Sequence, residues 1–244
     1  MIITRLLSGL FSVLAILGYC KVSEAKNSFA VLALSWQPAF CEYRQNRPEC
    51  ASQIATRYDA SHFSLHGLWP GPRSRVYCGI PTTTIKLDKS GRWGRLPELH
   101  LNSGLRSRLN QIMPGTRSFL QRHEWVKHGS CHENGSANGY YSDSLRLVDE
   151  VNNSPLQRLF SDNLGKFLEV KTIQSAFDKA FGNGSGQRVR LKCRKDGNRL
   201  LISELTIGLY GEFDEHSSLS KLILSAKPTA SGCKGGIVDR AGLQ

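Results

Sequence analysis

Apolar and polar positions divide the chain into strand-like ends and a helical middle. Residues 29–36 form a short, nearly continuous apolar run bounded by Asn27 and Pro38, which predicts a buried strand. Residues 63–69 predict a second, stopped by Pro70-Gly71-Pro72. Between them, residues 41–50 read as a polar, Arg-rich loop. Residues 73–97 are rich in Gly, Arg and Thr and lack periodicity, so they read as a long surface loop carrying Tyr77 and Trp93. The pattern then turns helical over 103–112, ended by Met113-Pro114-Gly115, and over 118–127, with Gly129 at the C-terminal end. Further helices fit 140–151, 155–163 and 172–181. β-type patterning returns over 187–195, 199–210 and 236–239, with the first two joined as a hairpin at Asp196-Gly197-Asn198. Strands at both ends of a helical middle predict an α+β domain: a central, largely antiparallel sheet flanked by helices.

The first 25 residues change the picture of where this domain works. Arg5 precedes an apolar run over 6–19, then a polar stretch ending Ser23-Glu24-Ala25. This reads as a secretory signal cut after Ala25, because the run is shorter than the roughly 20 residues a membrane anchor needs. Cys20 raises lipidation, but Tyr19 does not suit the position before a lipidated cysteine. Residues 26–244 are then expected to form one exported domain, periplasmic or secreted, with no other membrane span and with monomer as the default state. Cleavage leaves Cys41, Cys50, Cys78, Cys131, Cys193 and Cys233, which in an oxidising compartment predict three disulfides. Six cysteines allow fifteen pairings, and only Cys41 and Cys50 are near enough in sequence to suggest a local one. No Cys-x-x-Cys pair marks a structural zinc site. Asn134 and Asn183 begin glycosylation sequons, which would carry little weight if the source were bacterial. A formal net charge of +12 favours polyanionic partners such as nucleic acid.

Candidate chemistry concentrates in Ser64-Leu65-His66-Gly67-Leu68-Trp69-Pro70 and His123-Glu124-Trp125-Val126-Lys127-His128-Gly129-Ser130-Cys131. Two histidines with a carboxylate and a cation are what metal-free phosphodiester cleavage requires: one imidazole takes a proton while the other gives one. On the predicted helix, Glu124 lies one turn before His128 and His123 one turn before Lys127, so Glu124, Lys127 and His128 are expected to form one polar edge. Trp125 is expected to anchor the helix in the core. His123-Glu124 invites a zinc-protease reading, but His123 and His128 are five apart, about 140° around a helix, and do not converge on one ion. Gly67 would let a ligand or backbone approach His66, and Trp69 offers a ring on which a base could stack.

These segments resemble the two active-site motifs of the ribonuclease T2 family. His66-Gly67-Leu68-Trp69-Pro70 and Lys127-His128-Gly129-Ser130-Cys131 match in identity, order and approximate separation. Agreement extends to Ala33-Leu34-Ser35-Trp36, Cys193 and Cys233, and so over essentially the whole mature chain, closest to the bacterial periplasmic branch. The resemblance implies an endoribonuclease acting on single-stranded RNA without metal or cofactor, through 2′,3′-cyclic phosphates to 3′-phosphates, and leaving DNA uncut. It implies His128 as general base, His66 as general acid, Glu124 and Lys127 around the phosphate, and His123 helping to hold it. It also implies Cys78–Cys131 and Cys193–Cys233 disulfides, leaving Cys41 with Cys50. Many relatives carry an acidic base-reading residue after Trp-Pro, whereas Gly71 stands here, so broad base tolerance is expected. Tyr77 is a second, weaker candidate for base stacking. A catalytically silent relative that binds RNA or another polyanion is the competing reading, opposed by the presence of both His66 and His128.

Overall fold

The computed structural model describes residues 28–133, 135–214 and 216–244; the signal-peptide reading of 1–25 and the sequon at Asn134 lie outside them. In chain order the elements are β1 (Ser28–Ser35), α1 (Gln37–Glu42), α2 (Pro48–Ala51), β2 (Ser64–Pro70), α3 (Thr82–Lys89), α4 (Ser103–Ile112), α5 (Leu120–Lys127), α6 (Ala137–Asn152), α7 (Pro155–Ser161), β3 (Phe167–Glu169), α8 (Val170–Phe181), β4 (Val189–Asp196), β5 (Arg199–Gly211), α9 (Leu219–Ser225) and β6 (Gly235–Ile237). The strands form one sheet ordered β2-β1-β5-β6-β3, with β4 also on β5. Pairing is antiparallel except between β5 and β6, which accords with a largely antiparallel α+β fold.

β1 presents one covered face, as a half-covered strand does. Ala30, Leu32 and Leu34 are buried on one face, in one core cluster with Leu147, Val148 and Val151 of α6. Trp36 ends β1 in an aromatic cluster with Phe63 and Phe160, and its indole N–H donates to the Asp239 carbonyl at 2.8 Å. Trp125 packs against this core, as expected, with its ring 6.1 Å from that of Tyr140.

β2 lies at the sheet edge, where unpaired backbone groups would normally invite another strand. Two side chains of α6 close that edge. Tyr140 Oη donates to the Leu68 carbonyl and accepts from its N–H, at 3.0 and 3.1 Å, and the Asn152 amide does the same for Phe63. Tyr140→Phe leaves both Leu68 groups without these partners in a buried setting, so it is expected to lower stability by about 1–3 kcal/mol, read from the urea midpoint. An unchanged midpoint would show that the edge is held by packing alone.

Several sequence expectations need correction. Residues 73–97 are not simply a loop, because they contain α3 and a 3₁₀ turn at Trp93–Arg95. Three successive threonines, poor helix formers, hid the helix. The predicted 118–127 helix is interrupted at Phe119, whose left-handed φ of 65° separates a 3₁₀ turn (Pro114–Ser118) from α5. The loop expected over 41–50 is confined to residues 43–47, because α1 runs to Glu42 and α2 begins at Pro48. β3 is too short to show periodicity, and the apolar run of α9 suits either strand or helix. The three disulfides pair Cys41 with Cys50, Cys78 with Cys131 and Cys193 with Cys233. Among the described residues no helix is long and apolar enough to cross a membrane.

Candidate active site

Half of the site is built by an irregularity in β2. Ala33 of β1 pairs with Gly67 and Leu34 with Leu65, so His66 is an extra, bulged residue. In a regular strand neighbouring side chains face opposite ways, but a bulge re-aims one of them. Here Leu65 and Leu68 stay buried while His66 and Gly67 are both directed at Glu124: His66 Nε2 lies 3.7 Å from Glu124 Oε1, and a Cβ at Gly67 would lie 2.0 Å from Glu124 Oε2. The close approach that Gly67 permits is therefore that of a side chain, neither backbone nor ligand.

The other half comes from α5. Glu124 is 1% exposed and turned toward β2, so the single polar edge expected for Glu124, Lys127 and His128 is not what forms. Trp69 Nε1 donates to Glu124 Oε2 at 2.8 Å. Glu124 Oε1 also lies 3.9 Å from His123 Nε2. His128 caps α5, and the helix end is fixed by the Cys78–Cys131 bridge and by the Tyr77 N–H donating to the Lys127 carbonyl at 2.9 Å. The Trp69 ring stands beside both His66 and His128, with centroids 5.3 and 5.5 Å away.

Two acidic residues not anticipated from the sequence orient histidines here. Asp88 of α3 is buried, with Oδ1 2.7 Å from His123 Nδ1 and Oδ2 accepting from the Tyr77 hydroxyl at 2.8 Å. Trp93 stacks on the other side of His123 at 4.5 Å. Tyr77 and Trp93 are thus tied to His123 rather than standing as free loop aromatics. Glu204 of β5 places Oε2 2.7 Å from His66 Nδ1. It too sits beside a bulge, since Lys192 pairs with Glu204 but Cys193 pairs with Ile202. The available signal was a lone carboxylate within the otherwise uncharged run 200–210, because a charge there needs a partner.

These surroundings push the two candidate proton-transfer histidines apart. Burial disfavours the His66 imidazolium, but the Glu204 hydrogen bond and the charges of Glu124 and Glu204 outweigh it, so the His66 pKa is raised. Burial and the nearby cations Lys127, His123 and His66 lower His128 to about 3. Its buried Nδ1 has no hydrogen-bond partner among the described residues, so nothing there supports a proton. Burial raises the Glu124 pKa despite neighbouring cations, and Asp88 is lowered because its hydrogen bonds to His123 and Tyr77 outweigh its burial.

Clefts open on either side of this cluster. One, of about 720 Å³, is lined by Trp69, Lys127, His128, Arg73 and Arg190. At its rim the Phe29 ring covers Gly71, where a Cβ would come within 2.3 Å of Phe29 Cδ1. The other, of about 260 Å³, is bounded by His66, Glu204, Tyr43, Arg47, Trp93 and Arg194. His66 lines the smaller cleft and His128 and Lys127 the larger, and both have basic and aromatic walls of the kind suited to a polynucleotide. Among the described residues no three His, Cys, Asp or Glu side chains converge as a metal ion would need.

Known proteins share this architecture and sequence. Ribonuclease I of Escherichia coli K12 is 30% identical over 234 residues, spanning 87% of this chain and 86% of its own. The extracellular ribonuclease LE of Solanum lycopersicum is 27% identical, covering 71% of this chain and 74% of its own. The crystal structure of Japanese pear S3-RNase superposes with a TM-score of 0.54 at 20% identity, over 86% of this chain and 98% of its own, and so shares the fold. Human RNase T2 superposes with a TM-score of 0.50 at 17% identity, over 88% and 98%. The sequence pattern of the Ribonuclease T2 family matches residues 27–222, and with it the chain belongs to that family.

Proposed function

We propose that this T2-type endoribonuclease cleaves single-stranded RNA without a metal ion, by attack of the ribose 2′-oxygen on its own phosphate. The observation that carries the reading is that the His66 and His128 rings both stand beside Trp69, 5.3 and 5.5 Å from it, in surroundings that tune them in opposite directions. His128, neutral, takes the 2′-hydroxyl proton. As the 2′-oxygen bonds to phosphorus, the bond to the 5′-oxygen breaks and His66 delivers its Nε2 proton to that leaving oxygen. Water then opens the 2′,3′-cyclic phosphate to a 3′-phosphate with the two roles exchanged. Lys127 opposes charge on the non-bridging oxygens. Glu124, held by the Trp69 N–H and beside His66 Nε2, sits next to the phosphate. His123, held by Asp88, steadies the phosphate. Trp69 offers the 720 Å³ cleft a stacking face, and Phe29 over Gly71 leaves no carboxylate there to select a base. DNA lacks the nucleophile and is bound at most. Residues 26–244 act as one exported, monomeric domain, a reading supported by the N-terminal apolar run and three disulfides.

The test is digestion of single-stranded RNA in excess EDTA. Cyclic phosphates appearing first and 3′-phosphates later is the expected course, while binding without cleavage would establish the silent reading. Activity should rise with pH as His128 loses its proton near 3 and fall as His66 loses its proton above the ordinary imidazole value of about 6.5. A plateau of kcat/KM in weakly acidic solution follows. An optimum above about pH 9 contradicts this assignment, since His66 would then have no proton to give.

A further inference from the structure

We propose that Glu204 is a positioning residue for His66, accepting its Nδ1–H so that the proton on Nε2 faces the leaving 5′-oxygen. This rests on the ribonuclease reading above and extends it to a residue outside the two sequence motifs. The geometry has three parts. Glu204 Oε2 lies 2.7 Å from His66 Nδ1, which fixes both the tautomer and the ring rotation. His66 Nε2 then points to the Glu124 side, 3.7 Å from Oε1, where the phosphate would sit. The other oxygen of Glu204 is held by Lys192 Nζ at 3.5 Å, so the carboxylate is itself oriented.

Two bulges on different strands are needed to bring this pair together. His66 is the extra residue of β2 and Ser203 the extra residue of β5, while β1 lies between the two strands. The Ser203 carbonyl accepts from the Trp36 N–H at 3.0 Å and its hydroxyl donates to the Lys192 carbonyl at 3.0 Å, which pins the bulge. Glu204 is only 8% exposed, and its charge is matched by His66 and Lys192. Burying the Glu204 carboxylate costs desolvation, which a purely structural strand position would avoid with an apolar residue.

The charged and titratable groups around His66 are Glu204 from β5, Lys192 and Arg194 from β4, Tyr43, Arg44 and Arg47 between α1 and α2, Glu49 from α2, Glu124 from α5, and His128 after it. Lys192 opposes a proton on His66; Glu204 is its nearest counter-charge. Losing an opposite charge at this distance moves a pKa by about 1–3 units. In Glu204→Gln the alkaline limb of kcat/KM on a dinucleotide is therefore expected to move toward acid by about one pH unit. Near neutral pH, kcat should fall about tenfold, with KM nearly unchanged. Glu204→Asp should recover part of the loss. The discriminating substrate is a nitrophenyl ester of uridine 3′-phosphate, whose leaving group departs without protonation. Glu204→Gln should cleave it nearly as well as wild type.

Equal losses on the dinucleotide and the ester, or an unmoved alkaline limb, would overturn the proposal and leave Glu204 as structural. If wild type itself forms no cyclic phosphate, the ribonuclease reading fails instead, and the two failures are distinct. Should Glu204→Gln not fold, the wild-type NMR titration of His66 decides: a proton shared between Nδ1 and Glu204 with an elevated midpoint supports the pairing, and the titration of an unpaired imidazole overturns it.

Discussion

His128→Ala is expected to lower kcat on RNA by about 10²- to 10⁴-fold, the range over which a positioned general base contributes. His66→Ala should fall as far on RNA, but the two variants should part on the nitrophenyl ester. That substrate needs no general acid, so His66→Ala should regain most of its activity there while His128→Ala stays inactive. The split tests the direction of proton transfer and not only the need for both residues. Its basis is the raised pKa of His66 beside two carboxylates and the lowered pKa of His128 among cations. Recovery of His128→Ala on the ester, with none for His66→Ala, would reverse the assignment.

The second large effect is expected from a residue with no side chain. Gly67→Ala places a Cβ 2.0 Å from Glu124 Oε2 and 2.6 Å from Trp69 Nε1, two atoms already hydrogen-bonded to one another. Neither can yield freely, because Glu124 is buried and Trp69 is flanked by both histidine rings. Displacing Glu124 by about an ångström should reduce kcat about 10²-fold, the cost of misplacing a catalytic group by that much, with about 1–3 kcal/mol of destabilisation from overpacking. Gly71→Ala is the fitting control: it presses only on Phe29, an exposed ring with room to swing. Wild-type kcat in Gly67→Ala would refute the role given to the Gly67–Glu124 contact.

The two motifs were legible because the chemistry restricts residue identity: few residues besides histidine exchange protons near neutral pH. The strands flanking β1 and the apolar face of α6 were legible through periodicity. What escaped depends on pairing across the sheet. Glu204 meets His66 over a separation of 138 residues, and no local pattern announces it. Asp88 was lost with α3, whose run of threonines disguises a helix. The inward turn of Glu124 could not be read from helical spacing, which fixes angles around an axis but not the orientation of the helix toward β2. Bulges are a property of two strands together, so neither sequence alone contains them.

The extra residue in β2 sets a limit on how this site can be altered or copied. A regular strand presents every second residue to a given side, so adjacent positions never cooperate there. With the bulge, consecutive His66 and Gly67 face the same side, one bringing an imidazole to Glu124 and the other leaving the empty space that admits it. Grafting His-Gly-Leu-Trp-Pro into a flat strand of another scaffold would therefore present the histidine or the gap, never both. Deleting one residue from β2 here would heal the pairing with β1 and abolish the site in the same stroke.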